Sequence, residues 1–123
     1  MNGPSVLLVD DEIDFVSSLA ERLKLRKIDT EIAVSGEEAF KAISNKRPDV
    51  TILDLKMPGL DGLEVLKHIK IMDDSIQIVL LTGHGSTREG IEGMRLGAFD
   101  FLMKPIDIDE LITIIKKAVE TRN

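Results

Sequence analysis

The chain has no cysteine, no tryptophan and no tyrosine among its 123 residues, and its only aromatic rings outside two histidines are four phenylalanines. Without cysteine there is no disulfide framework, no thiolate metal site and no cysteine nucleophile, a usage that suits a reducing compartment. With so few rings, stacking platforms for nucleobases or a flavin are scarce. A basic excess is lacking too. The formal charge of -6 gives no electrostatic footprint for nucleic acid or an anionic membrane, so any action on DNA would run through something else. No apolar run approaches the roughly 18 residues of a membrane span. The opening MNGPS is too polar and short for a signal peptide. The expectation is a soluble, cytoplasmic protein.

What is present is enough for one core. At 43% hydrophobic residues the chain fills a single domain, taken as residues 1–123, and it shows no repeat or low-complexity tract. Five short apolar runs recur, at Val6–Val9, Thr30–Val34, Val50–Leu53, Ile76–Leu81 and Phe99–Met103. Most are continuous rather than alternating, the pattern of strands covered on both faces. Between them lie segments of helical period, such as Val16, Leu19, Ala20 and Leu23, and later Leu111, Ile115, Ala118 and Val119. Four segments open on a small polar residue with Glu three positions on: Ser35 with Glu38, Asp61 with Glu64, Ser86 with Glu89 and Asp107 with Glu110. Alternating strand and helix means parallel crossovers and an open α/β sheet.

In such a sheet the functional cleft lies beyond the carboxyl ends of the strands. The residues just past the runs are Asp10, Asp11 and Glu12, then Ser35, Asp54, Thr82, and Lys104 with Pro105. Each alone has a bland reading. Asp10, Asp11 or Asp14 caps the first helix, Thr82 ends a strand, Lys104 is a solvated lysine, and Asp54 is a turn former before Met57-Pro58-Gly59. Together they put several carboxylates, a hydroxyl and an amine at one end of one sheet. Crowded carboxylates repel, so a cation must neutralise them or their pKa values must rise. Mg²⁺ is suited, since it takes oxygen ligands from one or two carboxylates and shares its shell with an incoming phosphate. Asp11, Asp54 and a backbone carbonyl from the loop after Asp54 form such a partial shell, Lys104 suits a phosphate oxygen or a carboxylate, and Thr82 offers a hydroxyl. These are parts for phosphoryl transfer, with Asp54 the best placed carboxylate nucleophile.

The stretches VLLVDDE, ILDLKMPGLDGLEVL, LLTGHG and GAFDFLMKP, in this order and spacing over nearly the whole chain, resemble the receiver domain of two-component response regulators. The resemblance implies a doubly wound, flavodoxin-like (βα)5 domain with a parallel five-stranded sheet of order 2-1-3-4-5. It implies that Asp54 is the phosphoacceptor, taking its phosphoryl group from a phosphohistidine. Asp11, Asp54 and the Lys56 backbone carbonyl match direct Mg²⁺ ligands, and Asp10 matches the acid that acts through a metal-bound water. Thr82 and Lys104 match the groups that grip the phosphoryl oxygens, Phe101 matches the switch aromatic, and the Lys104–Pro105 bond is expected to be cis. Lys56 and His84 stand where the family tunes acyl-phosphate lifetime. Many relatives carry Tyr where this chain has Phe101, so its outward form lacks a hydroxyl contact. Gly90 and Gly93 in the fourth helix are read either as softening it or as allowing close packing.

The implied partner is a cognate histidine kinase or phosphotransfer protein. The implied signalling surface is the fourth helix, fifth strand and fifth helix, where Ile91 and Met94 are expected at the surface. That surface serves a homodimer formed on phosphorylation, or an attached or separate effector. The GAFDFLMKP form also resembles receivers of transcriptional activators. A Mg-dependent phosphatase of haloacid dehalogenase type, the main alternative, combines similar groups but needs Asp-x-Asp after its first strand, where this chain has Asp10-Asp11-Glu12. A flavodoxin-like nucleotide binder needs a Gly- and hydroxyl-rich phosphate loop there instead. A degenerate receiver acting only as a binding module would lack a required residue, and none is missing.

Overall fold

The computed structural model describes residues 3–57, 60–83 and 87–121. Strands and helices alternate as β1 (Ser5–Val9), α1 (Ile13–Leu25), β2 (Asp29–Ala33), α2 (Gly36–Asn45) and β3 (Val50–Asp54). They continue through the short β4 (Lys56–Met57) and β5 (Leu60–Asp61) to α3 (Gly62–Met72), β6 (Gln77–Thr82), α4 (Thr87–Arg95), β7 (Asp100–Met103) and α5 (Ile108–Thr121). The main sheet is parallel throughout, in the order β2-β1-β3-β6-β7. Numbered among the long strands alone, this is the expected 2-1-3-4-5. What the apolar pattern did not announce is the antiparallel pair β4–β5, which joins Lys56 to Asp61 and Met57 to Leu60.

The continuous apolar runs are explained by burial on both faces. Along β1, Val6 and Leu8 enter one core with Val16, Leu19 and Leu23 of α1 and Leu111 and Ile115 of α5. Leu7 and Val9 enter the other with Ala39 and Ile43 of α2 and Val65, Leu66 and Ile69 of α3. Successive residues of a strand point to opposite faces, so a strand with two covered faces has no polar alternation to show. β3, in the middle of the sheet, is buried along its whole length, Asp54 included.

The helix starts follow their caps unevenly. The Ser35 hydroxyl accepts the Glu38 amide at 3.1 Å, and the Glu38 carboxylate reaches back to the Val34 amide at 3.0 Å. The Asp61 carboxylate accepts the Leu63 amide at 3.0 Å, while Glu64 turns to Lys67 instead. The Asp107 carboxylate accepts the amides of Asp109 and Glu110. The proposed Ser86 cap lies outside the described residues. α1 begins without a side-chain cap, its N-cap position being Glu12.

Candidate functional site

The carboxyl ends of β1, β3, β6 and β7 bring Asp10, Asp54, Thr82 and Lys104 together. Asp10 follows β1 directly and is 1% exposed. Its amide continues the sheet by donating to the Ala33 carbonyl at 3.1 Å, and its carboxylate accepts the Glu12 amide at 2.9 Å. Such an Asx turn bends the chain sharply away from the strand and into α1. Asp10 therefore shapes the turn before the helix and does not cap the helix itself. Asp54 closes β3 at 4% exposure, with one carboxylate oxygen accepting the Lys56 amide at 3.0 Å. The backbone that donates this bond is clamped in turn by the β4–β5 pair. Lys56 itself points its side chain to solvent.

Lys104 closes the cleft from β7. Its amide donates to the Thr82 carbonyl at 2.9 Å, and the Lys104–Pro105 bond is cis. Its ammonium lies 2.6 Å from Glu12 Oε1, 3.1 Å from Asp10 Oδ2 and 3.6 Å from Asp54 Oδ2, and 4.4 Å from the centre of the Phe15 ring. Thr82 is fully buried, its hydroxyl donating weakly to the Leu102 carbonyl at 3.4 Å. It stands one strand over from Asp54.

The electrostatics follow from burial. Loss of solvent pushes the Asp54 carboxyl up to about 6; the Lys56 amide pulls it down, Asp10 pushes it up again and Lys104 draws it down. Burial also works against the charge on Lys104, but its hydrogen bonds to Glu12 and Asp10 and the attraction of Asp54 leave its pKa above the ordinary lysine value. Oxygens of Asp10, Glu12 and Asp54 lie within 4.8 Å of one another. Three hard oxygen donors at this spacing, two of them buried, fit a small divalent cation better than a soft metal. Asp11, partly buried beside them, is not in this trio, and Glu12 is. Glu12 stood in the DDE run, but its reach to a lysine 92 positions away leaves no local signal.

Phe101 is partly buried against the α2–α3 core. A Cβ built on Gly90 would lie 2.6 Å from its ring, and one on Gly93 would lie 2.1 Å from Leu80. The two glycines thus let α4 lie close on β6 and β7, so close packing accounts for both. Outward, Ile91 is 54%, Met94 39% and Met103 44% exposed, an apolar strip along α4 and β7. His84 lies outside the described residues. None of the described helices is long and apolar enough to cross a membrane.

The chemistry of this cleft has counterparts among known proteins. The profile described as response regulator receiver domain matches residues 6–116. The transcriptional regulatory protein PrrA of Mycobacterium bovis is 34% identical over 99% of this chain, which spans 52% of that protein. The chain therefore covers about half the length of such curated relatives. The sporulation initiation phosphotransferase F of Bacillus subtilis is 35% identical over 95% of this chain and 94% of its own length. Among solved structures, a response regulator receiver domain protein from Clostridium thermocellum superposes with a TM-score of 0.93 at 30% identity, over 98% of this chain and 97% of that one. Sequence, sheet order and cleft agree, and the chain belongs to the response regulator receiver domain family.

Proposed function

We propose that the chain is a phosphorylation-activated switch of a two-component phosphorelay and that Asp54 is its phosphoacceptor. The observation that carries this reading is a buried carboxylate at the end of the central strand, one oxygen held by the Lys56 amide and the other facing the Lys104 ammonium at 3.6 Å. The donor is a phosphohistidine on a cognate histidine kinase or phosphotransfer protein. A carboxylate oxygen of Asp54 bonds to phosphorus as the P–N bond breaks, and the electron pair leaves on the imidazole, which takes up a proton. Asp10, Asp11 and Asp54, with the Lys56 carbonyl, are the residues assigned to Mg²⁺, and Glu12 adds a carboxylate at the same place. When bound, the cation supplies charge neutralisation for the phosphoryl oxygens. Lys104 and the Thr82 hydroxyl hold the remaining oxygens.

The new charge biases a two-state surface and need not create it. Drawing Thr82 toward the phosphoryl group frees space on its strand, into which Phe101 repacks, and the Gly90 contact passes that motion to α4. The output surface is α4, β7 and α5, and its partner is a second copy, an attached effector or a separate target in the cytoplasm. The chain spans 52% of the relative named as a transcriptional regulator and 94% of the one named as a phosphotransferase, which supports an attached effector and a separate target alike. Lys56 and His84 are the residues proposed to tune how long the phosphoryl group stays. Incubation with Mg²⁺ and beryllofluoride, or with acetyl phosphate, is expected to give one adduct per chain, lost in Asp54→Ala. Continuous turnover of varied phosphate esters would overturn the reading in favour of a phosphatase.

A further inference from the structure

The shortest contact of Lys104 is with Glu12 and not with either buried aspartate. Its ammonium has three donors, and within hydrogen-bond distance it meets Glu12 at 2.6 Å and Asp10 at 3.1 Å, leaving Asp54 at 3.6 Å. Glu12 and Phe15 both belong to the start of α1 and hold the ammonium from two sides, by charge and by ring face. Yet the Glu12 side chain is 62% exposed. A pair with one solvated partner contributes little to stability, because water competes for it. What it does is aim the lysine. Asp10, by contrast, is buried and already engaged by the Glu12 amide, so its geometry is fixed by the turn.

We infer that Glu12, supported by Phe15, is a positioning residue that draws the Lys104 ammonium toward the start of α1, so that it stays just beyond hydrogen-bond contact with Asp54, at 3.6 Å, until a phosphoryl group arrives. This rests on Asp54 being the phosphoacceptor. Lys104 must give up Glu12 to reach the phosphoryl oxygens, so the pair sets part of the barrier to phosphorylation. Because the pair is solvated, it breaks readily. Because it is seated on α1, a displacement of that helix start also releases the lysine.

Two substitutions separate contact from charge. Glu12→Gln removes the charge; Glu12→Asp keeps it but is one methylene too short for the same contact. At saturating Mg²⁺, where a weakened metal site in the variants does not limit the reaction, both are expected to speed labelling of Asp54 by acetyl phosphate roughly two- to fivefold, the size of an exposed ion pair that no longer has to be broken. The gain should shrink in about 0.5 M salt, which weakens the exposed Glu12–Lys104 pair in the wild type, and should vanish when Lys104→Met is added. Asp14→Asn, an exposed acid on the same helix, is the control. In the metal-free protein, the NMR signal of the Lys104 side-chain nitrogen should shift in both Glu12 variants and in Phe15→Leu. A Glu12→Asp variant that labels like the wild type, a gain that survives Lys104→Met, or an unmoved Lys104 signal would each overturn the inference. If the wild type itself takes no label, the phosphoacceptor reading fails instead, and the nitrogen signal still decides where Lys104 is held.

Discussion

Asp54 carries an electrostatic cost that its position explains. With its carboxyl pushed from 3.8 to about 6, the folded chain binds a proton more tightly than the unfolded one across that window. Stability therefore falls as pH rises from about 4 to about 6, by at most about 3 kcal/mol at 1.36 kcal/mol per unit. Asp54→Asn should remove this loss. In metal-free protein the variant is expected to match the wild type near pH 4 and exceed it above pH 6, and Mg²⁺ should narrow the gap by stabilising the wild type more than a variant that has lost the Asp54 carboxylate. Urea unfolding followed by circular dichroism is the suitable measurement, since the chain has no Trp or Tyr to report by fluorescence. A gap independent of pH would count against the shifted carboxyl. Thr51 is fully buried in β3, and its hydroxyl has no hydrogen-bond partner among the described residues. Thr51→Val keeps the shape and removes the polar atom, so it should stabilise by about 1–2 kcal/mol in the same assay. Asp54 was legible in the sequence because a carboxylate ending an apolar run is conspicuous. Glu12 was not, because an exposed acid beside two others carries no mark of a partner far along the chain.

Among the elements, α4 is the most exacting. Alanine in place of glycine gains up to about 1 kcal/mol of helix propensity, but overpacking a filled site costs about 1–3 kcal/mol. Gly90→Ala presses on the Phe101 ring, which is partly buried and can yield; Gly93→Ala presses on Leu80, which is fully buried. Gly93→Ala should therefore lose the more stability, and Gly90→Ala should instead move the aromatic signals of Phe101. Equal losses with an unmoved ring would contradict this packing. At the start of α2, Ser35→Ala should cost about 1 kcal/mol through the lost Glu38 amide bond. Strand cores and three of the expected caps were readable because apolar runs and Ser or Asp starts are local signals. The β4–β5 pair was not, since two-residue strands have no period to detect. Nor was the bare start of α1, where Asp10 spends its carboxylate on a turn.

At the scale of the whole molecule, large apolar side chains are exposed in several places, with Ile13 beside the cleft and Leu25, Ile32 and Ile71 elsewhere. The carboxylates gather at the carboxyl ends of the strands, while Ile91, Met94 and Met103 line α4 and the edge strand β7. If that strip joins two copies on phosphorylation, beryllofluoride with Mg²⁺ should shift sedimentation from monomer toward dimer. Ile91→Lys should abolish the shift while leaving the Asp54 adduct intact. A monomer under both conditions would point to an effector as the partner instead. The 4% exposure of Asp54 has one more consequence for such a switch. On the proposed reading of Asp54 as phosphoacceptor, a phosphoryl group seated there would leave by hydrolysis, and the attacking water would first have to enter past side chains that already crowd the cleft. How long the molecule remembers a signal then becomes a question of hydration, and its forgetting is timed by the admission of a single solvent molecule.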